Sequence, residues 1–179
     1  MQKKEHIFST YFLAILILLT CSKFLEAQSR EYLIKAAYIE KFARFIEWPA
    51  KSIGEEFIIT ILGRDHFNGA LEAIAQKYKI KSLPLKIKYI SDISEIEPCQ
   101  MLFISQSRKN TLNEILFYTK DKPILTLSET ENYCEKGIHI NFYYTEKETI
   151  HFEVNPARLK KSGFKVDMYL IDLGKIIGE

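Results

Sequence analysis

The chain has 179 residues, 47% hydrophobic and 27% charged, a globular composition with enough length for one sizeable core. Lys and Arg number 25 against 23 Asp and Glu, so the net charge of +2 gives no electrostatic argument for a nucleic acid or an anionic membrane as partner. With only 7 Gly and 5 Pro, low complexity and disorder are also set aside.

Lys3 and Lys4 precede the apolar run "YFLAILILLT", Tyr11 to Thr20. The run is short of the about 20 residues that cross a bilayer, and Ala27 follows it as a small residue for cleavage. Residues 1–27 therefore read as a secretory signal peptide, and residues 28–179 as a single exported α/β domain. Lipoprotein processing at Cys21 is the weaker alternative, because Thr20 is a poor residue before a lipidated cysteine. Cleavage after Ala27 leaves Cys99 and Cys134, which allow one disulfide at most. Two buried thiols acting as small apolar side chains is the preferred reading.

From Arg30 to Trp48 there is no Gly or Pro, which predicts a helix stopped by Pro49. At about 100° per residue, Tyr38, Phe42, Phe45, Ile39 and Ile46 spread over roughly half its circumference. That is more than one sheet contact requires. Part of the stripe should pack on a sheet, and Phe42, Phe45 and Trp48 are expected to meet a second chain.

"EFIITILG" (Glu56 to Gly63) is β-rich and predicts a buried strand, and "NGALEAIAQKY" then predicts a helix. "PLKIKYI" alternates apolar residues with Lys86 and Lys88, as an edge strand does. "MLFIS", "KNTLNEILFYTK" and "PILTLS" read as strand, helix and strand. The order implies right-handed crossovers and an α/β fold with a mainly parallel sheet flanked by helices. "GIHINFYY" and "ETIHFEVN" then form a C-terminal β-hairpin around "TEK", with Ile138 expected opposite Val154, Ile140 opposite Phe152 and Phe142 opposite Ile150. "PARLKKSGF" starts a short helix at Pro156, and "MYLIDLGKII" closes the chain as an apolar helix.

No nucleotide-binding, hydrolase or metalloprotease motif is present, so no catalytic residue, cofactor or metal is assigned and an enzyme is not expected. Gly63, Arg64 and Asp65 follow the first long strand, where open α/β sheets bind ligands. A small anion there is a weak reading beside a solvated turn capped by Asp65. The predicted hairpin register puts His139, His151 and Glu153 on one face. Without a fourth ligand, cross-strand polar pairing is preferred to a zinc site.

"YLIKAAYIEKFARFIEWP", "FIITILGRDHF", "CQMLFIS", "PILTLSE" and "GIHINF…IHFEVNPARLKKSGFKV" together resemble the YfiR-like family of periplasmic proteins over about residues 30–177. The resemblance implies a Rossmann-like sandwich that forms a homodimer. It also implies a periplasmic negative regulator that binds the periplasmic part of an inner-membrane diguanylate cyclase and so controls cyclic di-GMP and biofilm. An OmpA-type outer-membrane lipoprotein would be a further partner. A ligand-binding module feeding a sensor histidine kinase is the alternative. By position, the resemblance implies that Ile140, Glu153 and Leu159 contact the cyclase. Cys99 and Cys134 stand where relatives have cysteines, but their usual partners are missing: no Cys lies in residues 60–80, and Asn141 stands near the other place.

Overall fold

The computed structural model describes residues 30–178, except the side chain of Lys51. The expected leader, with Cys21, lies outside the described residues. Helix α1 covers residues 30–45 and passes directly into a two-residue strand, β1 (Ile46–Glu47). After a short 3-10 turn come β2 (Phe57–Leu62), α2 (Ala70–Lys77), β3 (Lys79–Ile80), β4 (Leu83–Ile90) and β5 (Met101–Ile104). Next are α3 (Leu112–Thr119), β6 (Leu125–Ser128) and the hairpin β7 (Ile140–Tyr144) and β8 (Ile150–Val154). The chain closes with α4 (Pro156–Lys161), β9 (Lys165–Val166), α5 (Met168–Leu173) and β10 (Lys175–Ile176).

Eight strands form one sheet in the order β10-β8-β7-β6-β5-β2-β4-β3, while β1 and β9 pair antiparallel beside it. Strands β4, β2, β5, β6 and β7 run parallel. Numbered in chain order they lie 2-1-3-4-5, a doubly wound arrangement. The expected mainly parallel sheet with a C-terminal hairpin is therefore present. Its central strands are continuous apolar runs because both faces are covered. Ile59, Ile61, Met101 and Phe103 point to one face, under α1 and α2. Leu62, Leu102 and Ile104 point to the other, under α3.

α1 delivers most of its apolar stripe to the first face. Phe42 packs on Phe142 and Phe152, with ring centroids 5.9 and 5.0 Å away. Burying each such ring removes apolar surface worth roughly 2–3 kcal/mol. The helix ends three residues before its expected stop. Ile46 and Glu47 extend to pair with Val166 and Lys165, so the backbone has already left the helix when Pro49 forbids it. Trp48 then lies edge-on to Phe57 and Phe164 and donates its indole N–H to Gln100 O at 3.0 Å.

Two further expectations change. The hairpin pairs Ile140 with Val154, Phe142 with Phe152 and Tyr144 with Ile150, two residues away from the predicted register. Its turn runs over residues 145–149, closed by Thr145 N donating to Thr149 O at 2.9 Å and by the hydroxyls of both threonines at 2.7 Å. A slip of two keeps every side chain on its face, so the apolar pattern could not distinguish the two registers. The closing helix stops at Leu173. Gly174 passes so close to Phe152 that a Cβ would meet its ring at 2.6 Å, and β10 then joins β8 in parallel.

Candidate functional site

In a 2-1-3-4-5 sheet the connections that leave the neighbouring strands β2 and β5 run to opposite faces of the sheet, and a crevice opens at the carboxyl ends of those strands. Gly63 leaves β2 at φ +100°, and a Cβ on it would lie 2.5 Å from Ser107 Oγ. Only glycine lets the two loops touch this closely. Arg64 N donates to Ser107 Oγ at 2.9 Å, and Asp65 Oδ1 accepts from Phe67 N at 2.7 Å. Asp65 thus serves the turn, whereas the exposed Arg64 lines an open cleft of ≈720 Å³ with His66 and Lys109.

The floor of that cleft is a buried polar cluster. Lys35 and Glu129 form an ion pair at 2.6 Å, with side chains only 4% and 6% exposed, which makes removal of either partner costly. The Lys35 ammonium also holds Glu31. Tyr32 donates its hydroxyl to both Glu129 oxygens at 2.9 and 2.8 Å, and Gln106 N donates to Glu129 Oε1 at 3.1 Å. Burial first, and the Glu129 charge second, raise the Tyr32 phenol far above its usual range. Burial and a bond to Glu31 raise Tyr144 likewise. Sequence reasoning overlooked this cluster. Its signal was a lysine standing one turn before Ile39 on the apolar stripe of α1, where a charge needs a buried partner. On the far side of the pair lies a second lobe of ≈430 Å³, reached by Asn141, Tyr143 and Glu153.

The expected contact residues divide. Phe42, Trp48, Ile140 and Leu159 are buried, as core residues of this chain, and offer no surface to a partner in this conformation. Most of the half-circumference of α1 is absorbed because β7 and β8 cover Phe42 through Phe142 and Phe152, while Phe57 of β2 and Phe164 after α4 cover Trp48. Phe45 stays 44% exposed, and Glu153 lines the second lobe. The exposed apolar surface lies elsewhere as well: Met168, Tyr169 and Leu173 of α5 are all at least half exposed. Asp167 N donates to Phe45 O at 3.5 Å, so the start of α5 lies beside the end of α1. Tyr38 packs on Phe152 at 5.5 Å, and Gly174 abuts the same ring, so α1 and the end of α5 meet over one buried side chain.

The other residues weighed for chemistry are committed elsewhere. His139 Nδ1 accepts from Thr126 N at 3.1 Å, which puts the ring proton on Nε2, 2.9 Å from Ser162 Oγ. Burial, with the Arg158 charge adding to it, pushes the imidazole down to about 3. His151 is exposed opposite Tyr143, and Glu153 stands opposite Asn141, so the three residues imagined as a zinc set do not converge. Among the described residues no three His, Cys, Asp or Glu side chains lie together as a metal site. Cys99 and Cys134 are buried free thiols rather than a bridge, and burial pushes them up to about 11 and about 12.

A family model described as YfiR/HmsC-like matches residues 32–175, and the chain belongs to that family. The family is one of periplasmic regulators in diguanylate cyclase signalling, regulatory rather than catalytic. Among solved structures, a conserved domain protein from Vibrio cholerae O1 biovar El Tor shares the fold, with a TM-score of 0.51 at 8% identity. The match covers 68% of this chain and 54% of that one, so the chain spans about half the length of that structure. No curated protein matches the chain.

Proposed function

We propose that this member of the YfiR/HmsC-like family docks on the periplasmic part of an inner-membrane diguanylate cyclase and holds it inactive. The observation that carries the surface is the exposure of four large apolar side chains, Phe45, Met168, Tyr169 and Leu173, 44–66% exposed on two elements that meet at Asp167 and Phe45. Exposed apolar surface of this kind, rich in aromatic and Met side chains, has the composition of a protein interface core. Binding one conformation of the cyclase more tightly than the other shifts its population, and no catalytic group is needed. Glu153, whose carboxylate lies 3.3 Å from the Lys175 ammonium, is the polar contact in this reading. The same surface would serve a second copy of the chain in a homodimer. An OmpA-type outer-membrane lipoprotein, competing for it, would release the cyclase.

Deleting the gene should raise cyclic di-GMP, and the restored chain should lower it again. A chain carrying Met168→Lys with Leu173→Lys should fail to lower it while melting at the unaltered temperature. Unchanged cyclic di-GMP in the deletion strain, with the cyclase present, would refute the reading.

A second reading has one observation behind it. Arg64 and Lys109 line the ≈720 Å³ cleft at the switch point, as a receptor for a small anion feeding a sensor kinase would require. Inorganic phosphate should then raise the melting temperature, and Arg64→Ala should abolish the rise.

A further inference from the structure

A second cleft, of ≈560 Å³, lies at the other edge of the sheet and belongs to neither reading. Ser52, which lines it, precedes β2, and Pro123 precedes β6, so it opens at the amino ends of the parallel strands. Lys120 ends α3 on one wall, and Lys161 and Ser162 end α4 on another.

Charge is the first observation. Lys120, Lys122 and Lys161 are exposed and have no hydrogen bond or ion pair among the described residues. The Lys122 ammonium lies 3.1 Å from the centre of the Tyr118 ring, which leaves Lys120 and Lys161 without any partner there. Against the three ammonium charges stand the Asp121 carboxylate and roughly half a negative charge at each of the two helix ends. The cleft is left positive.

His139 supplies the second, independent observation. It is 1% exposed, and burial keeps its imidazole neutral. Nδ1 accepts from the Thr126 backbone N–H at 3.1 Å, so the ring proton sits on Nε2 and is donated to Ser162 Oγ at 2.9 Å. Ser162 keeps its own hydroxyl proton for a different acceptor, and none takes it among the described residues. Ser52, by contrast, donates its proton to Pro49 O at 2.6 Å. A chain of hydrogen bonds that starts inside the sheet thus sets Ser162 as a donor on a cleft with two free ammonium groups. Lysines act as point charges on phosphoryl oxygens, and a dianion draws more from them than it loses to a single carboxylate. Asp121 is exposed and without a donor among the described residues, which suits a hydroxyl group on the same ligand.

We propose that this cleft binds a phosphate monoester of a small polyol, with the phosphoryl oxygens taken by Lys120, Lys161 and the Ser162 hydroxyl, and a hydroxyl of the organic part donating to Asp121. The volume has room for both parts of such a molecule. The site is separate from the cyclase-docking surface and from the Arg64 cleft.

The test is calorimetric titration of the purified protein with ribose 5-phosphate, with inorganic phosphate and ribose as its two halves. The ester should bind in one-to-one ratio and about tenfold more tightly than phosphate. Amide signals of Lys120 and Ser162 should move in NMR spectra of the titration. Lys120→Gln with Lys161→Gln, both on exposed side chains, should weaken the ester about tenfold without changing the melting temperature. Asp121→Asn should narrow the gap between ester and phosphate. Ser162→Ala should weaken both, and the exposed lysine pair keeps the test decisive if loss of the His139 partner unfolds that variant. Absence of binding at millimolar ester, equal affinity for ester and phosphate, or affinity indifferent to the lysine pair would each overturn the proposal. So would signals that move at Arg64 and Lys109 instead, which would give the anion to the switch-point cleft.

Discussion

The helices at the two ends of the described chain are both rich in apolar residues and meet different fates. α1 sends Ile39, Phe42, Ala43 and the residue that follows it, Ile46, into the core with no exposure at all. α5 buries Leu170 and leaves Met168, Tyr169 and Leu173 outside. The difference follows from position. α1 crosses the face formed by the inner strands, which walls in the side of the helix that carries Ile39 and Phe42 and leaves Leu33, Ile34 and Phe45 outside. α5 perches at the rim, beyond β8, where only one turn of helix touches the sheet. Apolar content therefore says how much oily surface an element has, and its place in the sheet decides how much of that surface remains for a partner.

The sharpest way to break that comparison is Phe42→Ala. Loss of a ring wedged between Phe142 and Phe152 should cost about 3–5 kcal/mol in denaturant unfolding. Phe45→Ala, three residues on, should cost under about 1 kcal/mol. Equal losses would mean that Phe45 is buried too and that the exposed apolar surface is smaller than described.

A middle-sized effect tests the seam that ties the two ends together. His139 packs edge-on to Phe164, and Phe164 packs on Trp48. The folded chain holds the imidazole neutral down to about pH 3, whereas the unfolded chain protonates it near 6.5. The unfolded state thus binds the extra proton between those values. Stability is full above pH 6.5 and falls as the pH drops, by about 2 kcal/mol at pH 5. His139→Gln should flatten the dependence in that window. A wild-type profile already flat from pH 7 to 5 would show that the ring is hydrated.

The smallest effect is expected at the other end. Met168→Lys and Leu173→Lys should each change stability by less than about 0.5 kcal/mol, because both side chains are at least half exposed. A loss comparable to that of Phe42→Ala would place α5 inside the core.

Most of the fold was legible in the residues. Runs such as Phe57 to Leu62 and Met101 to Ile104 can be little else than strands covered on both faces, and the helical segments between them dictated a parallel sheet. The candidate site was legible only in part. Gly63 and Arg64 were found because a strand's end is marked by composition. Lys35 and Glu129 are 94 residues apart, and no local pattern announces their meeting.

By itself the sequence determined which segments are helix or strand, which side chains share a face, and to which family the chain belongs. Each of these rests on periodicity or on residue identity, both local properties. Tertiary structure alone decided the hairpin register, since a two-residue slip leaves the apolar alternation unchanged and the closure of the turn selects between the two. It alone decided that Trp48 is covered and Met168 is not, because exposure depends on what the rest of the chain places beside a residue.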